Sequence, residues 1–161
     1  MPDENQTIPT AAAITLHTDY AHAIDTRDWD LFARVFTPDV RVRYTAMPPI
    51  DGIDDWLAFF IPFHDQCGWT LHAMTNHRVG TGPDGIWASC YGDVRWTQHD
   101  QPSRMHHAIG IYQDTLTHTD SGWRISSRRM DVLLSATTDI SASTISLPTS
   151  VRDVSQPPVT H

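Results

Sequence analysis

Ten histidines and six tryptophans stand out among the 161 residues of the chain. Imidazole is the side chain whose ordinary pKa lies closest to neutral pH, so the histidines are the first candidates for proton transfer. Histidines scattered along a chain need not be catalytic, and we expect most of these to lie on the surface. Only a histidine that the fold places beside a carboxylate or in a pocket is a candidate for acid–base catalysis.

Residue spacing gives little support to metal or cofactor chemistry. His106 and His107 are adjacent on a predicted strand and therefore point to opposite faces, as do His72 and His77, which are five residues apart. The sequence has no HExxH motif and no clustered carboxylates, so we expect no bound metal. The glycines of GTGPDG, over 80–85, lie at a turn between two predicted strands and not between a strand and a helix, and the sequence lacks a P-loop and a GxSxG elbow, so we expect no cofactor.

Charge and composition exclude several classes of partner. The formal net charge is −8, which makes the chain a poor partner for nucleic acids and for anionic membranes. Cys67 and Cys90 are not in a CxxC spacing, and we expect both to be reduced thiols. Neither a basic, apolar signal segment nor a run of 18 apolar residues is present, so we expect a cytoplasmic protein.

Hydrophobic periodicity and turn residues predict an α+β order of elements. Helices are expected from Thr10 to Asp25, over 29–36 and over 51–64, with Pro62 ending or kinking the third. A strand over 40–44 precedes that third helix. Four antiparallel strands are expected over 70–79, 86–98, 104–118 and 123–134, separated by turn signals such as GPDG and TDSG. Helices segregated from a run of antiparallel strands indicate the α+β class.

The same pattern predicts one domain followed by a tail. Residues 1–134 form the domain, with a short loose N-terminus. Residues 135–161 are rich in Ser, Thr and Pro and are predicted to be a mobile tail, or alternatively an arm that packs on a partner subunit. Large aromatic residues on the outer sheet face, drawn from Trp87, Tyr91 and Trp96, favour a homo-oligomer, either a dimer or a trimer.

Three segments resemble a known family. The stretch YAHAIDTRDWDLFARVFTPDV, from Tyr20 to Val40, resembles the opening of SnoaL-like (NTF2-like) domains. The later segments LHAMTN, from Leu71, and DSGWRI, from Asp120, resemble an internal strand and the last hairpin of that family. The resemblance spans residues 10–134. It implies a cone-shaped fold in which three N-terminal helices pack on a curved, mainly antiparallel sheet that encloses a pocket.

The resemblance also implies a set of catalytic residues. Several members are cofactor-free lyases or isomerases that use an Asp–His pair, among them scytalone dehydratase, bile acid 7-alpha dehydratase and hexachlorocyclohexane dehydrochlorinase. The matching positions are Asp25 and His72, while Tyr20 matches a tyrosine of the bile acid enzyme. Arg128 matches an arginine on the final strand, although the neighbouring Arg129 is an alternative. We expect His72 to act as the base, Asp25 to orient it, and Tyr20 and Arg128 to polarise the substrate.

Further residues are expected to bind the substrate. Comparison with the dehydrochlorinase favours the His106 face of the 104–118 strand as pocket lining. His106 is then a second acid–base group, the alternative being a surface or interface role. The full set of predicted substrate-binding residues is Tyr44, Trp56, Phe60, His106 and Tyr112.

Together these features predict a cofactor-independent lyase or isomerase of the dehydratase type. Its substrate is expected to be a hydrophobic, oxygenated cyclic molecule such as a steroid, polyketide or terpenoid. Two alternatives stay open, because this superfold hosts many chemistries and some non-enzymes. One is a polyketide-type cyclase. The other is a non-catalytic protein that binds a small molecule or serves as an accessory subunit.

Overall fold

A computed structural model describes residues 9–45 and 47–141 of the chain. These residues form helices and strands in the order α1 (Thr10–Thr26), α2 (Trp29–Val35), β1 (Phe36–Tyr44), β2 (Ile50–Asp51), α3 (Ile53–Asp65), β3 (Cys67–Gly82), β4 (Gly85–Gln98), β5 (Gln101–Thr119) and β6 (Gly122–Asp139). The predicted α+β class is confirmed. The strand expected before the third helix is β1, and the short β2, which was not predicted, follows it. The described residues include no helix with the length and hydrophobicity needed to cross a membrane.

The strands form a six-stranded sheet in the order β2-β1-β6-β5-β4-β3. Strands β3 to β6 follow one another as antiparallel hairpins, as the turn signals predicted. Gly85 and Gly122 begin β4 and β6 with φ values of 106° and 96°, a backbone region that L-residues with a side chain rarely adopt. The parallel pairing of β1 with β6 was not predicted, and it places the first strand of the chain beside the last one in the sheet.

Helix α1 covers the inner face of the sheet with a continuous buried stripe. Its buried residues are Ala13, Leu16, His17, Tyr20, Ala21, Ala23 and Ile24. Ile14, by contrast, is 38% exposed. The helix ends where Arg27 adopts a left-handed conformation with φ of 63°, and Asp28 then caps α2 by accepting from the Leu31 backbone N–H at 2.8 Å. This stop fixes Asp25 in the last turn of α1.

Helix α3 continues through Pro62 to Asp65 instead of ending there. Side-chain donors satisfy the carbonyl oxygens of its last turns. His64 donates to the Phe60 carbonyl at 2.8 Å, and Gln66 donates to the Pro62 carbonyl at 3.1 Å. These hydrogen bonds stabilise the end of the helix.

Strand β3 contains a bulge that changes which way its residues face. The pairing with β4 shifts register between Thr75 and Arg78, and Asn76 has a φ of 56°. Because a bulge inserts one residue, His77 returns to the same side of the sheet as His72. His72 contacts Asp25 and His77 contacts His17, so both histidines face α1. The expectation that these two histidines face opposite sides was therefore wrong.

Strand β6 is longer than predicted. It runs five residues past Leu134, to Asp139, and its last residue pairs with Arg104 at the start of β5. The first part of the predicted tail is therefore sheet. The rest of that tail, residues 142–161, lies outside the described residues, as does the N-terminal segment 1–8.

Candidate active site

Asp25 and His72 form a hydrogen-bonded pair between the end of α1 and β3. His72 Nδ1 lies 2.7 Å from one oxygen of Asp25, and the His72 backbone N–H donates to the other oxygen at 2.8 Å. The two side chains are 6% and 14% exposed for His72 and Asp25, respectively. A carboxylate only accepts at this distance, so Nδ1 carries the proton and Nε2 is left with a free lone pair.

Thr70 and Arg27 extend the hydrogen-bond network around this carboxylate. The Thr70 hydroxyl donates to Asp25 Oδ1 at 2.9 Å, and the Arg27 guanidinium donates to the same hydroxyl oxygen at 2.9 Å. Arg27 also donates to the Ile24 carbonyl. Burial lowers the pKa of Arg27, whereas nearby Cys67 and Asp25 act in the opposite direction. Asp25 therefore accepts three hydrogen bonds, from the Thr70 hydroxyl, the His72 backbone N–H and His72 Nδ1, and these fix its orientation.

A cavity of about 300 Å³ lies on the other side of His72. Its wall includes His72, His64, Thr70, Trp96 and a set of aromatic residues: Tyr20, Tyr44, Phe59, Phe60, Phe63 and Tyr112. Aliphatic and thioether groups complete the apolar surface. Asp25 is not part of the wall, and it is linked to the cavity through His72 and Thr70.

Two tyrosine hydroxyls meet at the cavity wall. The hydroxyls of Tyr20 and Tyr44 are 3.0 Å apart, and the Tyr20 ring packs edge-on against the His72 ring, with centroids 6.0 Å apart. Burial is the largest cause that raises the pKa of Tyr20, Tyr44 and Tyr112 above the ordinary value. All three are therefore neutral hydroxyls at neutral pH, able to donate to a substrate oxygen.

Arg128 is located behind the cavity and not in its wall. It is fully buried and donates to both oxygens of Asp114, at 2.8 and 2.6 Å. Its guanidinium stacks on the Tyr20 ring at 4.2 Å from the centroid. The expectation that Arg128 polarises the substrate is corrected, because its guanidinium is fully buried, is paired with Asp114 and does not line the cavity. The alternative, Arg129, is exposed and pairs with Asp131.

The predicted substrate-binding residues divide into two groups. Tyr44, Phe60 and Tyr112 line the cavity. Trp56 is fully buried in the aromatic core, 4.6 Å from Phe36 between ring centroids, and does not line it. His106 also lies outside the wall: it stacks flat on Trp96 with centroids 5.2 Å apart, and Trp96 fills the space between His106 and the cavity.

His64 is a cavity residue that the sequence reasoning missed. It is 5% exposed, and burial lowers its pKa from 6.5 to about 4, so the imidazole is neutral at neutral pH. Nδ1 donates to the Phe60 carbonyl, which leaves Nε2 as an acceptor. The available signal was the amphipathic pattern of α3, which places His64 four residues after Phe60 on the same face.

The outer sheet face carries two of the three predicted interface aromatics. Trp87 and Tyr91 are 37% and 49% exposed, whereas Trp96 belongs to the cavity wall. Asp93 lies on the same outer face, where it accepts from Arg95 and His107. Homo-oligomerisation through this face stays a prediction.

Comparisons with known proteins agree with this architecture. The family model described as a SnoaL-like domain matches residues 9–129. The uncharacterized protein Rv2910c of Mycobacterium tuberculosis is 33% identical over 125 residues, which is 70% of this chain and 78% of that protein.

Solved structures also resemble this chain in fold. A protein of Novosphingobium aromaticivorans, to which aromatic ring hydroxylase activity has been ascribed, is 27% identical with a TM-score of 0.73, over 80% of this chain and 92% of that one. The LinA-type3 hexachlorocyclohexane dehydrochlorinase of Novosphingobium barchaimii is 16% identical with a TM-score of 0.71, over 86% of this chain and 94% of that one. At that identity the similarity is one of fold alone.

Proposed function

The chain belongs to the SnoaL-like domain family, as the sequence resemblance predicted, and from this premise we propose that it is a cofactor-independent lyase or isomerase. Its substrate is a hydrophobic, oxygenated cyclic molecule, and His72 is the catalytic base. The observation that carries the proposal is the Asp25–His72 hydrogen bond of 2.7 Å, made by a histidine that lines an apolar cavity.

The geometry supports an elimination next to a carbonyl group. His72 Nε2 takes the proton from the carbon beside the carbonyl, and the C–H electrons form the new C=C bond as the C–O bond to a neighbouring hydroxyl breaks. The imidazolium then returns its proton to the departing hydroxide, so the net products are an enone and water. Asp25 stabilises the imidazolium while it exists, which is the ordinary role of a carboxylate hydrogen-bonded to Nδ1.

Tyrosine hydroxyls are suited to stabilise the charge that develops on the carbonyl oxygen. Tyr20 and Tyr44 are neutral donors in a water-poor wall, where a hydrogen bond to an oxyanion is stronger than in water. Arg128, stacked on Tyr20, is a positioning residue that does not touch the substrate. The attraction between its positive charge and the face of the phenol ring helps to hold Tyr20 in place.

The cavity volume favours the smaller members of the proposed substrate class. About 300 Å³ lies at the small end of the range for ligand pockets, which is about 300–1,000 Å³. A mono- or bicyclic hydroxyketone is therefore preferred over a four-ring steroid. His64 Nε2 is an acceptor on the same wall and is suited to orient a substrate hydroxyl.

The test is a dehydration assay on a panel of cyclic β-hydroxyketones, read by the absorbance of the conjugated enone. We expect His72→Gln to lower kcat/KM by about 10²–10⁴-fold, the usual contribution of a general base. His118→Gln, a change at an exposed histidine on the far strand end, is the matched control and should leave turnover unchanged.

Two other outcomes would change the assignment. Ring closure without loss of water would favour the cyclase alternative. Saturable binding of the panel without turnover by the folded wild type would favour a non-catalytic binding or accessory protein, for which the apolar wall alone is sufficient.

A further inference from the structure

Three metal-ligand side chains meet between α1 and the sheet, apart from the Asp25–His72 pair. His17 comes from α1, His77 from β3 and Cys90 from β4, and their ligand atoms all lie within 4.8 Å of one another. His17 and Cys90 are fully buried, whereas His77 is half-buried. No spacing rule reveals this cluster, because each ligand belongs to a different element.

The bulge in β3 is the feature that brings His77 into the cluster. Asn76 adopts the left-handed region, with φ of 56°, at the point where the register shifts. A residue with a side chain adopts this conformation at some energetic cost, and such strain often occurs at functional sites. Its effect here is to direct the His77 ring toward His17, with the two Nδ1 atoms 2.8 Å apart and the rings nearly parallel at 18°.

Asp114 fixes the tautomer of His17. Its carboxylate accepts from His17 Nε2 at 3.1 Å, and both side chains are fully buried. Since Nε2 carries the proton, Nδ1 of His17 presents its lone pair to the cluster. A metal-ligating histidine almost always donates its other ring N–H to a carboxylate, a backbone carbonyl or water. Arg128 holds Asp114 in place with two hydrogen bonds.

We propose that His17, His77 and Cys90 form a binding site for Zn²⁺ or a similar thiophilic divalent cation. Two imidazoles and one thiolate are ligands that Zn²⁺ prefers, and three protein ligands leave a fourth position for water. Zn–N bonds of about 2.0–2.1 Å at a tetrahedral angle separate two nitrogens by about 3.4 Å. The half-buried His77 therefore has to withdraw by about half an ångström from its present contact with His17.

The proposal is independent of the proposed lyase activity and is tested by cobalt binding. Co²⁺ replaces Zn²⁺ in such sites, and a thiolate ligand produces a charge-transfer band in the near ultraviolet. The full chain, stripped with a chelator, is titrated with Co²⁺ alone, and metal content is measured by native mass spectrometry. We expect one Co²⁺ per chain, the thiolate band, and its loss when Zn²⁺ is added.

The two cysteines supply a matched pair of variants. Cys67 is buried but contacts the Phe63 carbonyl and lies outside the cluster. We expect Cys67→Ala to keep the band and Cys90→Ala to abolish it. A wild type without the band, or a Cys90→Ala variant that retains it, would overturn the proposal.

A second variant decides the matter if Cys90→Ala does not fold. His77 is only half-buried, so His77→Ala is expected to fold, which circular dichroism checks. Loss of this ligand should weaken Co²⁺ binding by at least about tenfold. Unchanged Co²⁺ affinity in folded His77→Ala would show that the cluster is a hydrogen-bond network and not a metal site.

Discussion

Replacing His64 by phenylalanine should make the protein more resistant to acid. His64 is 5% exposed, and burial lowers its pKa from 6.5 to about 4. At pH 7 the imidazole is neutral in both the folded and the unfolded chain, so it adds no pH dependence there. As the pH falls below 6.5, the unfolded chain binds a proton that the folded chain does not, and the folded state loses stability.

The size of this effect follows from the difference between the two pKa values. One pKa unit corresponds to about 1.4 kcal/mol, so the shift of His64 from 6.5 to about 4 costs the wild type about 3 kcal/mol between pH 7 and pH 4. The free energy of unfolding is measured by urea titration at several pH values across this window. The difference between His64→Phe and wild type should grow in favour of the variant as the pH falls.

Phe59→Leu is the control for this measurement. Phe59 also lines the cavity, and its replacement changes packing without adding or removing an ionisable group. Its effect on the free energy of unfolding should therefore be independent of pH. If the difference between His64→Phe and wild type is equally flat from pH 7 to pH 4, the buried, neutral state assigned to His64 is refuted.

Two further substitutions test the polar groups behind and within the cavity wall. Arg128→Met leaves Asp114 buried without its cation and should lower the free energy of unfolding by about 3–5 kcal/mol. Arg129→Met, at a side chain that is 65% exposed, is the control and should lower it by less than about 1 kcal/mol. Equal losses in urea titrations would contradict the buried ion pair. Tyr44→Phe removes the hydroxyl that contacts the Tyr20 hydroxyl and should lower the free energy of unfolding by about 1–2 kcal/mol in the same titration. An unchanged urea midpoint would mean that the hydrogen bond between the two hydroxyls does not stabilise the fold.

Much of the fold was predictable because its signals are local. The spacing of apolar residues located α1 and α2, and turn signals such as GPDG and TDSG located the hairpins from β3 to β6. The bulge at Asn76 was not predictable, since its cause is pairing with β4 and not the sequence around it. The parallel pairing of β1 with β6 joins segments far apart in the chain, and no local pattern reports such a contact.

The candidate site was predictable only where a family motif carried it. Asp25 and His72 were named from the resemblance, and their 2.7 Å contact is consistent with that choice. Arg128 was placed in the pocket because the resemblance could not show Asp114, the partner that holds it behind the wall. The role of His64 depends on how far α3 carries it into the interior, which composition and spacing do not determine.

The most direct test of the Asp25–His72 pair is the tautomer of His72, read from two-bond ¹H–¹⁵N correlation spectra. The wild type should show the Nδ1–H tautomer, with Nε2 unprotonated toward the cavity. Asp25→Asn offers one acceptor where the carboxylate offers two. If the His72 backbone N–H keeps that acceptor, the amide NH₂ faces the ring and should shift His72 to the Nε2–H tautomer. Asp54→Asn, at an exposed position in α3, should leave the spectrum unchanged. An Nε2–H tautomer in the wild type, or one indifferent to Asp25→Asn, would contradict the account of His72 as a base oriented by Asp25.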